Sequence, residues 1–119
     1  MSIAACLFAT ADAQGRPQNP ARIPMEDIKS LYFKDGHKTL SRRKNPLPQL
    51  QCIGNSKHIC DTYGPDIVLC KNQGDGAWKC EADLHHSVRF GTVDVSCEGW
   101  EGPHDDYVMR GSCLLKYTI

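Results

Sequence analysis

Val95-Ser96-Cys97-Glu98-Gly99-Trp100-Glu101, a polar loop, then Tyr107-Val108-Met109-Arg110-Gly111-Ser112-Cys113: the reading of this stretch decides the fold. Two short apolar runs flank a loop rich in Gly, Pro and Asp. Each run carries a cysteine, Cys97 and Cys113. Short β-compatible runs bounded by turn formers read as strands. The expectation is two strands and a long turn, tied by a disulfide.

The same grammar extends outward. Residues 28–33 are β-compatible, and Asp35-Gly36 offers a type I′ turn, with residues 38–41 as the returning strand. A short helical turn over residues 25–30 competes with that reading. Pro46 and Pro48 remove backbone donors, so residues 45–48 read as a rigid connector or edge strand. Residues 49–53 are the next strand, and residues 54–64 a polar loop. Residues 66–71 form a strand with Ile67 and Leu69 on one face and Val68 and Cys70 on the other. Asp75-Gly76 turns the chain, and residues 78–82 return. Residues 88–90, 93–97, 107–110 and 114–117 complete the set. No long stretch has a 3.6-residue period. The predicted fold is all-β: a small disulfide-stabilised antiparallel β-sandwich or partly open barrel.

The chain has 119 residues, room for one domain. Fourteen basic and fourteen acidic residues cancel, and no basic stripe dominates, which argues against a nucleic-acid partner. No apolar run reaches the ~20 residues a membrane helix needs. Six of the seven cysteines fall between Cys52 and Cys113, with 7, 9, 9, 16 and 15 residues in the gaps. No pair has C-x-x-C spacing, so neither a zinc ribbon nor a thioredoxin-type site is indicated. An even set at wide spacing points to disulfides and an oxidising compartment.

Six cysteines allow 15 pairings. Three local bonds are expected. Cys70 and Cys80 straddle the Asp75-Gly76 turn and come opposite if the hairpin carries a one-residue bulge. Cys52 and Cys60 enclose a short polar loop, and Cys97 and Cys113 a long one. The start of the chain fits a clipped signal peptide over residues 1–13: a short apolar run, then Ala11-Asp12-Ala13 in small-x-small form. Its loss would remove Cys6. A frayed N-terminus fits as well. Residues 14–24 read as a flexible leader, and residues 25–119 as the domain.

Candidate chemistry is thin. His85 and His86 are adjacent, so in a strand they point to opposite faces, and no third ligand is in view. Glu98, Glu101, Asp105 and Asp106 contain calcium's preferred donor type, but Pro103 interrupts them and a solvated acidic loop is the plainer reading. Ser87, Ser96 and Ser112 lack a nucleophile elbow. Trp78, Trp100, Tyr63 and Tyr107 read as core or rim aromatics. Arg42-Arg43-Lys44, the only basic cluster, reads as a solvated loop or a partner contact. Arg42, Arg43, Trp100 and Glu101 are the candidates for a partner surface. No catalytic residue, metal ligand or cofactor is assigned.

Six segments in order carry a family resemblance: Ser41-Arg42-Arg43; Pro46-Leu47-Pro48-Gln49-Leu50-Gln51-Cys52; Cys60-Asp61-Thr62-Tyr63; Trp78-Lys79-Cys80 with Asp83-Leu84; Val95-Ser96-Cys97-Glu98-Gly99; and Tyr107-Val108-Met109-Arg110-Gly111-Ser112-Cys113. The chain resembles the luminal domain of the store-operated calcium entry-associated regulatory factor (SARAF) family. That resemblance implies a non-enzymatic regulator in the endoplasmic-reticulum membrane that restrains calcium entry after stores refill. It also implies a signal peptide, a cysteine-rich luminal β domain, a membrane helix and cytosolic tail beyond Ile119, and a calcium-sensing partner of the stromal interaction molecule type. A homodimer is a further expectation. Two other classes compete: a secreted disulfide-stabilised binding module, ligand or inhibitor, and a small extracellular hydrolase using a Ser–His pair.

Overall fold

The structure, a computed structural model, describes residues 20–119. The signal-peptide reading over residues 1–13 lies outside the described residues, as does most of the leader. Among these residues eight strands run in chain order: β1 (Arg22–Pro24), β2 (Ser30–Lys34), β3 (Leu50–Cys52), β4 (Ile67–Gly74), β5 (Ala77–Glu81), β6 (Val93–Ser96), β7 (Tyr107–Met109) and β8 (Leu114–Tyr117). Among the described residues one helix, α1 (Lys57–Tyr63), and a 3-10 turn, Met25–Asp27, interrupt them. No helix among the described residues is long and apolar enough to cross a membrane.

The strands form three sheets, β2-β4-β5, β3-β8-β6 and the pair β1-β7. Alternation decides what each sheet buries. In β2-β4-β5, Phe33 lies opposite Val68, and Leu31 opposite Cys70. In β3-β8-β6, Leu50 and Val95 flank Leu115, and Cys52 and Val93 flank Tyr117. These two faces merge into one apolar cluster, with Phe33, Val68, Cys70 and Leu115 fully buried at its centre. Burying a side chain such as Phe33 contributes about 1.5–3 kcal/mol. The result is sandwich-like and not a closed barrel.

The β4–β5 hairpin follows its local sequence. Asp75 and Gly76 have φ of 54° and 79°, the two positive values a type I′ turn requires. A register shift between Asn72 and Gly74 supplies the bulge, and Cys70 sits directly opposite Cys80. The structure joins Cys70–Cys80, Cys52–Cys60 and Cys97–Cys113.

Elsewhere the tertiary structure departs from local expectation. At Asp35-Gly36 only Gly36 has a positive φ, 80°, so this is not the type I′ turn of a hairpin. β2 pairs instead with β4, whose Val68 and Cys70 complete its buried face, and Lys38 makes only an isolated bridge to Pro48. Residues 54–64 are not all loop. Ser56 Oγ accepts the Ile59 N–H and caps α1, and Lys57 pairs with Asp61 one turn on. Residues 88–90 form no strand. The paired structure also begins earlier than the expected boundary: Arg22–Pro24 pairs with β7.

The β3–β8 pairing is parallel, unlike every other strand pair in the described residues. Parallel neighbours need a long crossover, and here the intervening chain contains α1 and four strands. The decisive stretch itself divides. Gly111, at φ 83°, turns the chain after β7, so Cys113 leads into β8. Since Ser96 pairs with Leu114, the Cys97–Cys113 bond continues the β6–β8 ladder by one step.

Candidate functional site

Strand β6 ends at Ser96, and the next residues re-enter pairing with β7. Gly99 bridges Val108, Met109 donates its N–H to the Glu98 carbonyl at 2.9 Å, and Trp100 donates to the Tyr107 carbonyl at 2.8 Å. The loop between them is closed by Asp105, whose carboxylate accepts the Tyr107 and Glu101 N–H groups. Those two bonds, in that order, hold the Asp105 carboxyl below its ordinary range. The acidic loop is thus internally bonded through Asp105.

Glu98 is not a solvated acid: only 7% of the residue is exposed. Its backbone N–H is taken by Ser112 Oγ, which in turn donates to the Met109 carbonyl. Its carboxylate reaches a distant loop and accepts the Arg42 N–H at 3.1 Å and the Arg43 N–H at 2.6 Å. The Arg43 guanidinium lies 3.7 Å from the same carboxylate and donates to the Gly99 carbonyl. Burial by itself would raise the Glu98 pKa. The Arg43 and Arg42 N–H groups, with the Arg43 and Lys44 charges, outweigh it and hold the carboxyl below its ordinary value.

Above this buried anchor, Arg42 stacks 4.1 Å over the Trp100 ring and donates to the Trp100 carbonyl at 2.7 Å. The structure therefore brings together Arg42, Arg43 and Trp100, with Glu101 next to Trp100 in the chain. Arg42, Arg43 and Glu101 are exposed, and Trp100 is half-buried. An arginine laid on a tryptophan rim, backed by a satisfied polar network, is a composition that recognition surfaces favour. Glu98 and Gly99, which organise the ridge, were absent from the expected surface. Their partners lie 55 and 56 residues away, so no local signal marks them.

The remaining candidates are placed as follows. His85 and His86 stack on one another at 4.2 Å, and Tyr63 meets His85 edge-on. Among the described residues no three His, Cys, Asp or Glu side chains converge on a common point. Ser112 is occupied by its backbone partners, and His85 Nδ1 accepts the Ser87 backbone N–H. Trp78 packs against the core cluster, and Tyr107 lies under the Arg22 guanidinium.

These features define a class: a small all-β domain, stapled by local disulfides, that displays an arginine–tryptophan ridge on a buried carboxylate. The chain belongs to the family described as SOCE-associated regulatory factor of calcium homoeostasis, whose profile matches residues 2–119. It is similar to the store-operated calcium entry-associated regulatory factor of Danio rerio, 45% identical over 105 residues, covering 85% of this chain and 30% of that protein. The Homo sapiens protein of the same name is 42% identical over 105 residues, covering 85% of this chain and 31% of that protein. The Rattus norvegicus protein is 42% identical over 106 residues, with 86% and 31% covered. The chain thus spans about a third of the length of the curated relatives it matches. These relatives carry the names of regulatory factors, not of enzymes.

Proposed function

We propose that this chain forms the luminal domain of an endoplasmic-reticulum membrane protein that restrains store-operated calcium entry. Membership of the family, matched from residue 2 to residue 119, is the observation that carries this reading. The three disulfides support the placement, because such bonds persist in oxidising compartments such as the endoplasmic-reticulum lumen. Within the domain, the ridge of Arg42, Arg43, Trp100 and Glu101 meets the partner, a calcium sensor of the stromal interaction molecule type.

The test uses the full-length protein in cells depleted of their own copy. Calcium entry is recorded as stores refill, and microsomal protease protection reports which side of the membrane holds the domain. The expected result is a protected domain and a lowered entry. Arg42→Ala with Trp100→Ala should weaken that restraint while the disulfides stay intact. A domain open to protease in sealed microsomes, release of the whole chain into the medium, or an entry indifferent to the protein would each overturn the reading.

A further inference from the structure

At the end of the β2–β4 ladder two aspartates come together. Lys34 pairs with Ile67, and the register continues one step to bring Asp35 beside Asp66. The Asp35 N–H donates to the Asp66 carbonyl at 2.8 Å. Both residues line a cavity of about 630 Å³ between this ladder, α1 and β8. That is the size of a small-molecule site. Leu50, Pro65 and the Cys52–Cys60 pair supply apolar wall. Asp61 and Lys57 also line it, but they neutralise each other at 2.7 Å. Among the described residues neither Asp35 nor Asp66 has a cationic partner.

A second observation is independent of the charges. Tyr117 lines the same cavity and is 4% exposed. Its ring is fixed edge-on against Phe90. Its hydroxyl lies against Gly64, where an added Cβ would come within 2.8 Å of it. Among the described residues that hydroxyl has no hydrogen-bond partner. Buried hydroxyls are seldom left so, because the lost hydration is not replaced. Burial, and then the Asp35 charge, raise its pKa above the ordinary tyrosine value.

We propose that this cavity binds an organic cation, an alkylammonium or guanidinium group held by Asp35, Asp66 and the Tyr117 hydroxyl. An ammonium has three N–H donors, and these groups offer it two carboxylates and a hydroxyl oxygen. A metal ion fits less well. Calcium needs six or more oxygens at about 2.3–2.6 Å, whereas no three acidic side chains converge among the described residues. The alkyl part of the cation would lie along Leu50 and Pro65. Such a cation is either a free polyamine or the lysine or arginine side chain of another polypeptide. The inference does not rest on the compartment or on the calcium-entry reading.

The test is calorimetric titration of the disulfide-intact chain with spermidine, with a capped lysine- and arginine-containing tetrapeptide, and with calcium. Saturable one-to-one binding of spermidine alone identifies a free amine, and of the peptide alone a partner side chain. Either supports the site. Asp35→Asn with Asp66→Asn should weaken binding at least about tenfold, the loss expected when hydrogen bonds to a charged group go. Tyr117→Phe, which keeps the ring, should weaken it roughly threefold. Asp83→Asn, outside the cavity, should leave binding unchanged. The proposal fails if neither organic cation saturates, if Asp83→Asn weakens binding as much as the cavity pair, or if only calcium binds.

Discussion

Glu98 Oε2 accepts the backbone N–H of Arg43 at 2.6 Å, across 55 residues of sequence. This one acceptor, with its twin on Arg42, fixes a basic loop to the end of β6 and places two guanidinium groups over Trp100 and Gly99. A carboxylate satisfied by backbone donors orients the chain itself. The Arg42 side chain then lies on Trp100, and the Arg43 side chain braces Gly99.

Glu98→Ala should cost roughly 2–4 kcal/mol, because it leaves two backbone N–H groups without their acceptor and removes the carboxylate beside the Arg43 guanidinium. The pH dependence has a definite sign. The folded carboxyl titrates below its ordinary value of 4.5, so the unfolded chain binds the proton more readily. Its contribution is fully present above the unfolded pKa and is lost as pH falls through the folded one. Urea unfolding of wild type and Glu98→Gln, compared from neutral pH down to about pH 3, should show the gap between them closing. A constant gap would remove Glu98 from the linkage.

Gly64→Ala should destabilise by about 1–3 kcal/mol, since the new methyl would lie 2.5 Å from the Cys60 carbonyl and 2.8 Å from the Tyr117 hydroxyl. Adding Tyr117→Phe relieves only the second clash. The double variant should therefore melt between Gly64→Ala and wild type in a thermal scan, after allowance for Tyr117→Phe alone.

Gly76→Ala isolates backbone conformation from packing. Nothing lies within 4 Å of the added methyl, so only the positive φ of 79° opposes it. The expected cost is about 1–2 kcal/mol. Asp75→Asn, at φ 54°, should be close to neutral, because Asn-Gly is a favoured pair for this turn. Equal losses for both, by denaturant midpoint, would mean that the turn contributes through something other than φ.

Cys97→Ser should cost about as much as Cys97→Ser with Cys113→Ser, because the bond, not either thiol, constrains the chain. Closing a loop of this size contributes about 3 kcal/mol in the chain-entropy picture. Non-reduced peptide mapping of wild type should recover Cys97 linked to Cys113. A single variant much less destabilised than the double one would assign the stability to thiol packing instead.

The residues whose structure was legible in advance share one property: their partners are close in sequence. The Asp75-Gly76 turn, the bulge before it and the Cys70–Cys80 register are all contained in one hairpin. Alternation on β4 separates Ile67 and Leu69 from Val68 and Cys70, and the structure buries the second pair. The helix α1 is not legible in the sequence, for the complementary reason. No α1 residue is fully buried, so it has no strong apolar stripe, and its signals were the Ser56 cap and one surface ion pair.

By itself, then, the sequence determined the all-β class, the turn chemistry and the segments of the family pattern, because backbone preference and alternation act over a few residues. The tertiary structure alone decided that β2 joins β4, that β3 runs parallel to β8, and that Arg43 rests on Glu98. It alone brought Asp35, Asp66 and Tyr117 to one cavity. Those pairings depend on which apolar faces bury each other and which buried polar groups find acceptors. Such free energies belong to surfaces assembled from distant segments, and no short window of sequence contains both halves.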